Sequence, residues 1–151
     1  LKVNILWGDR DGALTGYLNV DPLAGPDWAL SIRGDVMDLS PFVGPAEASE
    51  VVAHDVLDCL DAGDVDAALA HWASRLRHGA CLHLSTLNFR EVARLEAQGR
   101  LGRDELNRLI YGKRRSTNWP PDVMRRLTAL GLDVVRASYE NHRGVVTCRR
   151  P

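Results

Sequence analysis

Lysine is almost missing from this chain. Lys2 and Lys113 are the only two among 19 basic residues, and the rest are arginine. That skew, shared with alanine, reflects coding bias more than a phosphate-binding surface. Against 20 acidic residues it leaves a net charge of −1, so there is no electrostatic case for a nucleic-acid or membrane partner. Cysteine is scarce too: Cys59, Cys81 and Cys148 are odd in number, scattered, and in no metal-ligand spacing. They read as reduced, mostly buried thiols of a cytoplasmic protein. No apolar run reaches transmembrane length, and no signal-peptide pattern precedes the first strand. The chain opens at Leu1 rather than Met, directly on a strand. Gly-x-Ser-x-Gly, the P-loop, His-Glu-x-x-His and paired cysteines are all absent.

What is present is ordinary in bulk: 45% hydrophobic and 26% charged residues over 151 positions. That predicts one globular domain, 1–151, able to bury about two-thirds of its unfolded surface. Apolar runs and helical patterns alternate. Strands are expected at Val3–Trp7, Tyr17–Val20, Trp28–Ile32, Val51–Ala53 and Cys81–Thr86, the fifth reading as buried on both faces. Val65, Ala68, Leu69, Trp72 and Leu76 repeat at helical spacing between Gly63-Asp64 and Gly79. Further helices are expected over Asn88–Gln98, Arg103–Tyr111 and from Pro120-Pro121 to Gly131. Asp133–Tyr139 and Gly144–Cys148, joined by a polar turn, predict a closing antiparallel hairpin. Strands alternating with helices imply a mostly parallel sheet covered on both faces.

The motifs "VNILWGD", "GYLNVD", "VLDCL", "LRHGA" and "LGLDVV" give this pattern a family likeness. They resemble "LNLGCG…GYINVD", "LEH", "LKPGG" and "GF" of a small bacterial group of class I S-adenosylmethionine-dependent methyltransferases. The likeness runs from Val3 to about Cys148, and "GYLNVD" and "LNRLIYG" are its most specific pieces. It implies an α/β, Rossmann-like doubly wound sheet of seven strands, order 3-2-1-4-5-7-6, with the last strand antiparallel. It also implies S-adenosylmethionine as cofactor and methyl transfer to an unknown acceptor. Asp21 would accept hydrogen bonds from the ribose hydroxyls, since a carboxylate at the end of a parallel strand faces the ligand crevice. The competing reading is a turn acid before Pro22. Asp35 would accept from the adenine amino group and Val36 would pack on the ring, against the alternative of a simple turn. His54 and Asp55, at the end of strand four, would line the crevice near the methionine part. They are the nearest candidates for a base, although such a transfer needs mainly positioning.

Departures from the motif fall at ligand-facing positions. The family's Gly-Cys-Gly becomes Leu6-Trp7-Gly8, or, in a second frame, Gly8, Arg10 and Gly12 stand for its three glycines. Either frame loses a small residue where cofactor and main chain must approach closely. The "LEH" counterpart is Leu57-Asp58-Cys59, and the family's Asp-x-His falls near Ser116-Thr117-Asn118-Trp119. These losses imply weakened or lost cofactor binding, and a non-catalytic protein-binding module is the alternative function. The Trp7 indole is expected to lean over the methionine subsite, or else to turn inward as core. Lys113, Arg114 and Arg115, beside Tyr111 and Trp119, form a basic loop expected to be solvated or a protein-contact surface.

Overall fold

The computed structural model describes residues 1–151. Short apolar runs form the strands Lys2–Ile5 (β1), Leu18–Asp21 (β2), Ser31–Arg33 (β3), Ala48–His54 (β4) and Leu76–Leu87 (β5). Asp133–Glu140 (β6) and Arg143–Arg149 (β7) close the chain as a hairpin, and its turn places Asn141 in the left-handed region at φ 55°. The helices are Val65–Arg75 (α1), Phe89–Ala97 (α2), Arg103–Tyr111 (α3) and Pro120–Ala129 (α4). All seven strands share one sheet, ordered β3-β2-β1-β4-β5-β7-β6. Neighbours among β1 to β5 run parallel, whereas β7 is antiparallel to both β5 and β6.

Helix limits follow local chemistry. The Asn88 side chain accepts from Glu91 N to start α2, Pro120 and Pro121 open α4, and Gly131 at φ 84° follows its end. β4 and β5 run well beyond the limits that the sequence predicts. β4 extends back to Ala48 and β5 begins at Leu76, which pair with each other ahead of a register shift. Main-chain bonds from Gly79 N to Arg150 O (2.8 Å) and from Arg150 N to Ala80 O (2.9 Å) pin the start of β5. For that reason α1 stops at Arg75 rather than at Gly79: Leu76 is already extended, and Gly79 turns within the strand at φ 77°.

The helices cover the two faces of the sheet unequally. No helix lies between β1 and β2, β2 and β3, or β3 and β4. The main core joins alternate residues of the central strands (Val3, Val51, Leu82, Val146) to α1 through Trp72, to α4 through Leu127, and to Leu39. Those elements therefore cover the same face. The opposite face carries Lys2, Glu50, His83 and Thr147. Lys2 Nζ lies 2.9 Å from Glu50, and His83 lies 3.5 Å from Glu50 and 3.0 Å from Thr147 Oγ1. The 6–17 segment reaches onto this face, where the Asn4 side chain donates to Gly12 O at 2.9 Å. A second small cluster of Leu87, Val92 and Leu109 packs α2 and α3 against the end of β5. Where α4 meets β7, a Cβ on Gly144 would stand 2.7 Å from Pro120 Cβ, so the contact requires glycine.

Candidate functional site

A crevice of about 860 Å³ opens at the C-terminal ends of β1, β4 and β5. Its floor belongs to the face of Lys2, Glu50 and His83, with Asn4, His54, Ser85 and Val145. The β1–β2 turn forms one wall through Leu6, Trp7 and Gly12; the end of α3 and the loop after it form another through Lys113 and Arg114. Glu140 and Arg143 of the hairpin stand at a third side. In parallel α/β sheets, ligands collect outside the carboxyl ends of the strands, and this crevice has that position.

The β1–β2 turn takes its path from Asp21. This side chain is 0% exposed. Its Oδ1 accepts from Gly8 N and Leu23 N, both at 2.8 Å, and its Oδ2 accepts from Asp9 N at 3.1 Å. From the far side Lys113 Nζ donates to Trp7 O at 3.0 Å and Gly8 O at 2.7 Å. Gly8 has φ 66°, and a Cβ there would meet Leu23 Cδ1 at 3.0 Å and Lys113 Nζ at 3.2 Å. Its glycine character thus serves the packing of the turn. Trp7 is half-buried: it rests against the main core and also lines the crevice, so it combines the two placements expected for it.

Asp35 and Val36 do not line the crevice. Asp35 is an exposed turn acid whose Oδ1 accepts from Met37 N at 2.8 Å. The Val36 side chain is buried in the main core, and its carbonyl accepts from Trp72 Nε1 at 2.8 Å. His54 and Asp55 do line it. Asp55 holds φ 57°, an uncommon conformation that Asp tolerates better than most residues. Its Oδ1 accepts from Ser85 Oγ at 3.1 Å and its Oδ2 from Arg143 at 2.8 Å. The His54 ring has an open edge, but crowding by the crevice walls lowers its pKa, favouring the neutral imidazole. Burial pushes the neighbouring Cys59 thiol up to about 11, so it is not a thiolate nucleophile.

Sequence reasoning missed the importance of Asp58. Its fully buried carboxylate accepts from Leu87 N at 2.7 Å and Asn118 Nδ2 at 2.9 Å. Its main-chain oxygen accepts from Arg115 N and Ser116 N. Desolvation raises its pKa to about 6, opposed by these donors and by Arg114. Asp58 thereby ties the 113–119 loop to the ends of β4 and β5. Within the basic loop Lys113 and Arg115 are exposed, as expected of a solvated loop, whereas the Arg114 side chain is only 17% exposed; Arg115, at 2.8 Å from Asp61, makes an open surface pair.

Comparison with solved structures fixes the class of this architecture. An O-methyltransferase family protein from Burkholderia thailandensis superposes with a TM-score of 0.69 at 16% identity, over 99% of this chain and 51% of the other. The chain has the class I methyltransferase fold. A SAM-dependent methyltransferase from Archaeoglobus fulgidus matches this fold with a TM-score of 0.69 at 9% identity, covering 98% of this chain and 86% of that one. The 1,6-didemethyltoxoflavin-N1-methyltransferase of Burkholderia thailandensis, solved with S-adenosylhomocysteine, matches it with a TM-score of 0.65 at 15% identity, over 99% and 71%. The present chain spans about half the length of the first of these. No protein-family model matches the sequence, and no curated protein matches it. No helix of this methyltransferase-fold chain is long and apolar enough to cross a membrane.

Proposed function

We propose that the chain is an S-adenosylmethionine-dependent methyltransferase-like protein whose cofactor site is held shut by its own β1–β2 turn. It then works as a binding module rather than as a methyl-transfer catalyst. S-adenosylmethionine is the cofactor this fold implies, and neighbours of the same fold were solved with it or with S-adenosylhomocysteine. The residues present do not fit its adenosyl half. The carrying observation is Asp21, whose two oxygens accept three backbone N–H groups while the side chain is 0% exposed. Ribose hydroxyls would have to displace those donors. Asp35 and Val36, the adenine candidates, are turned to a surface turn and to the core. Calorimetric titration with S-adenosylhomocysteine tests the reading. The expected dissociation constant is about a millimolar or weaker, which corresponds to only ~4 kcal/mol. Micromolar binding would overturn it.

One observation favours a second reading, methyl transfer to a still unknown acceptor. The crevice beside His54 and Asp55 has room for a small molecule, and the neutral His54 is the form a base requires. In that case the β1–β2 turn must leave Asp21 before cofactor can bind. The same titration, in its micromolar outcome, supports this reading.

A further inference from the structure

The crevice wall from Gly112 to Arg114 carries two cations, Lys113 and Arg114, and the one acid paired with either is Asp58, at 3.9 Å from Arg114 Nε. Lys113 spends two of its N–H groups on the neutral carbonyls of Trp7 and Gly8. Its charge therefore stays uncompensated, and a third donor remains. Arg114 is mostly buried, and its Nε has no hydrogen-bond partner. The nearby Asp58 oxygen, at 3.9 Å from that Nε, lies beyond hydrogen-bond reach. That carboxylate is already occupied by Leu87 N and Asn118. Buried polar groups are normally paired, so an orphaned guanidinium nitrogen beside a cavity marks a missing partner.

Two other acids around the crevice are engaged elsewhere. Asp55 is held by Arg143 and Ser85, and Asp9 accepts from Gly12 N at 3.0 Å. Glu140, on the hairpin, is the remaining acid of the lining, which also holds Arg108 and Arg143. We propose that this crevice binds a small oxyanion, the carboxylate or phosphate group of a small molecule, held by Lys113 and Arg114. Both side chains suit such a group, since guanidinium presents paired donors to two oxygens and ammonium supplies a point charge. The anion would complete the seam between the β1–β2 turn and the 113–119 loop. The inference names the ligand class for the binding-module reading and rests on the crevice, not on the fate of the cofactor.

The test is a titration of the whole chain with inorganic phosphate and, separately, with acetate, each at constant ionic strength set by chloride. Amide resonances are followed by NMR. Saturable shifts are expected at Gly8 and at Gly112–Ser116, with a dissociation constant of about a millimolar. Lys113→Gln and Arg114→Gln should each weaken binding about tenfold, the loss of one charge-assisted hydrogen bond. Arg115→Gln, on the outward-facing pair with Asp61, should leave it unchanged. Stronger phosphate than acetate binding identifies a phosphate ligand, and the reverse order a carboxylate; either supports the site. If Arg114→Gln fails to fold, the comparison of Lys113→Gln with Arg115→Gln decides. No saturation with either anion, or equal losses in the Lys113 and Arg115 variants, would overturn the proposal. The S-adenosylhomocysteine titration reads a different ligand, so either idea can fail alone.

Discussion

Replacing Asp21 by alanine separates a structural carboxylate from a ligand-binding one. The side chain accepts from Gly8 N, Asp9 N and Leu23 N and lies wholly out of solvent. A hydrogen bond to a charged group contributes about 1.5–3 kcal/mol net. Gly8, Asp9 and Leu23 are not themselves buried, so water can reach part of what the mutation frees, and the low end applies. Three bonds then give a loss of about 4 kcal/mol in Asp21→Ala. For a chain of this size that is a fall in melting temperature of ~8–16 °C. Asp21→Asn keeps the shape and one acceptor oxygen, but turns an amide N–H2 towards one backbone donor. It should lose about half as much. Circular dichroism melts and urea titrations read both variants, and Trp7 fluorescence should report the loosened turn. A melting temperature for Asp21→Ala within about 2 °C of the parent would refute the reasoning. The carboxylate would then be free to serve a ligand.

Two further outcomes follow from the same contacts. Asp58 has a folded pKa of about 6 against 3.8 for the free side chain, so it binds its proton more tightly when folded. Its contribution is complete below about pH 3.8 and is lost as pH rises through about 6. Acidification from pH 7 to 5 should therefore stabilise the parent relative to Asp58→Asn by about 1.3 kcal/mol; parallel urea stability curves for the two would contradict it. The difference between variants is what counts, because His54, His71 and His142, with lowered pKa values, oppose the trend in both proteins. Gly144→Ala should force α4 off β7 at Pro120 and cost about 1–3 kcal/mol by overpacking. An unchanged melting temperature would show that the helix start yields freely.

The strand order and all four helices were legible, the first through motif likeness and the second through apolar spacing and the Pro and Gly stops. The true length of β5 was not, because Leu76–Ala80 is held by pairing with Ala48 and Arg150, far apart in sequence. The sparsely covered face had left a signal. In "CLHLS" the leucines alternate with Cys81, His83 and Ser85, a period of two that marks a half-exposed strand rather than a fully covered one. His54 and Asp55 reached the crevice because a strand end fixes position whatever the side chain. The roles of Asp21 and Asp58 depend on where a loop folds back. Lys113 meets a turn 105 residues earlier, and Asn118 meets an acid 60 residues earlier. Residue type alone does not carry such information.

The placement of β7 bears on how the chain is made. It lies between β5 and β6, although it follows both of them in the sequence. Until it emerges, β5 presents a bare row of main-chain donors and acceptors to whatever is nearby. The hairpin of β6 and β7 needs only a two-residue turn and can form within microseconds. Docking that ready-made pair onto β5 closes a long loop in one step, and the nascent sheet is exposed to wrong partners until then.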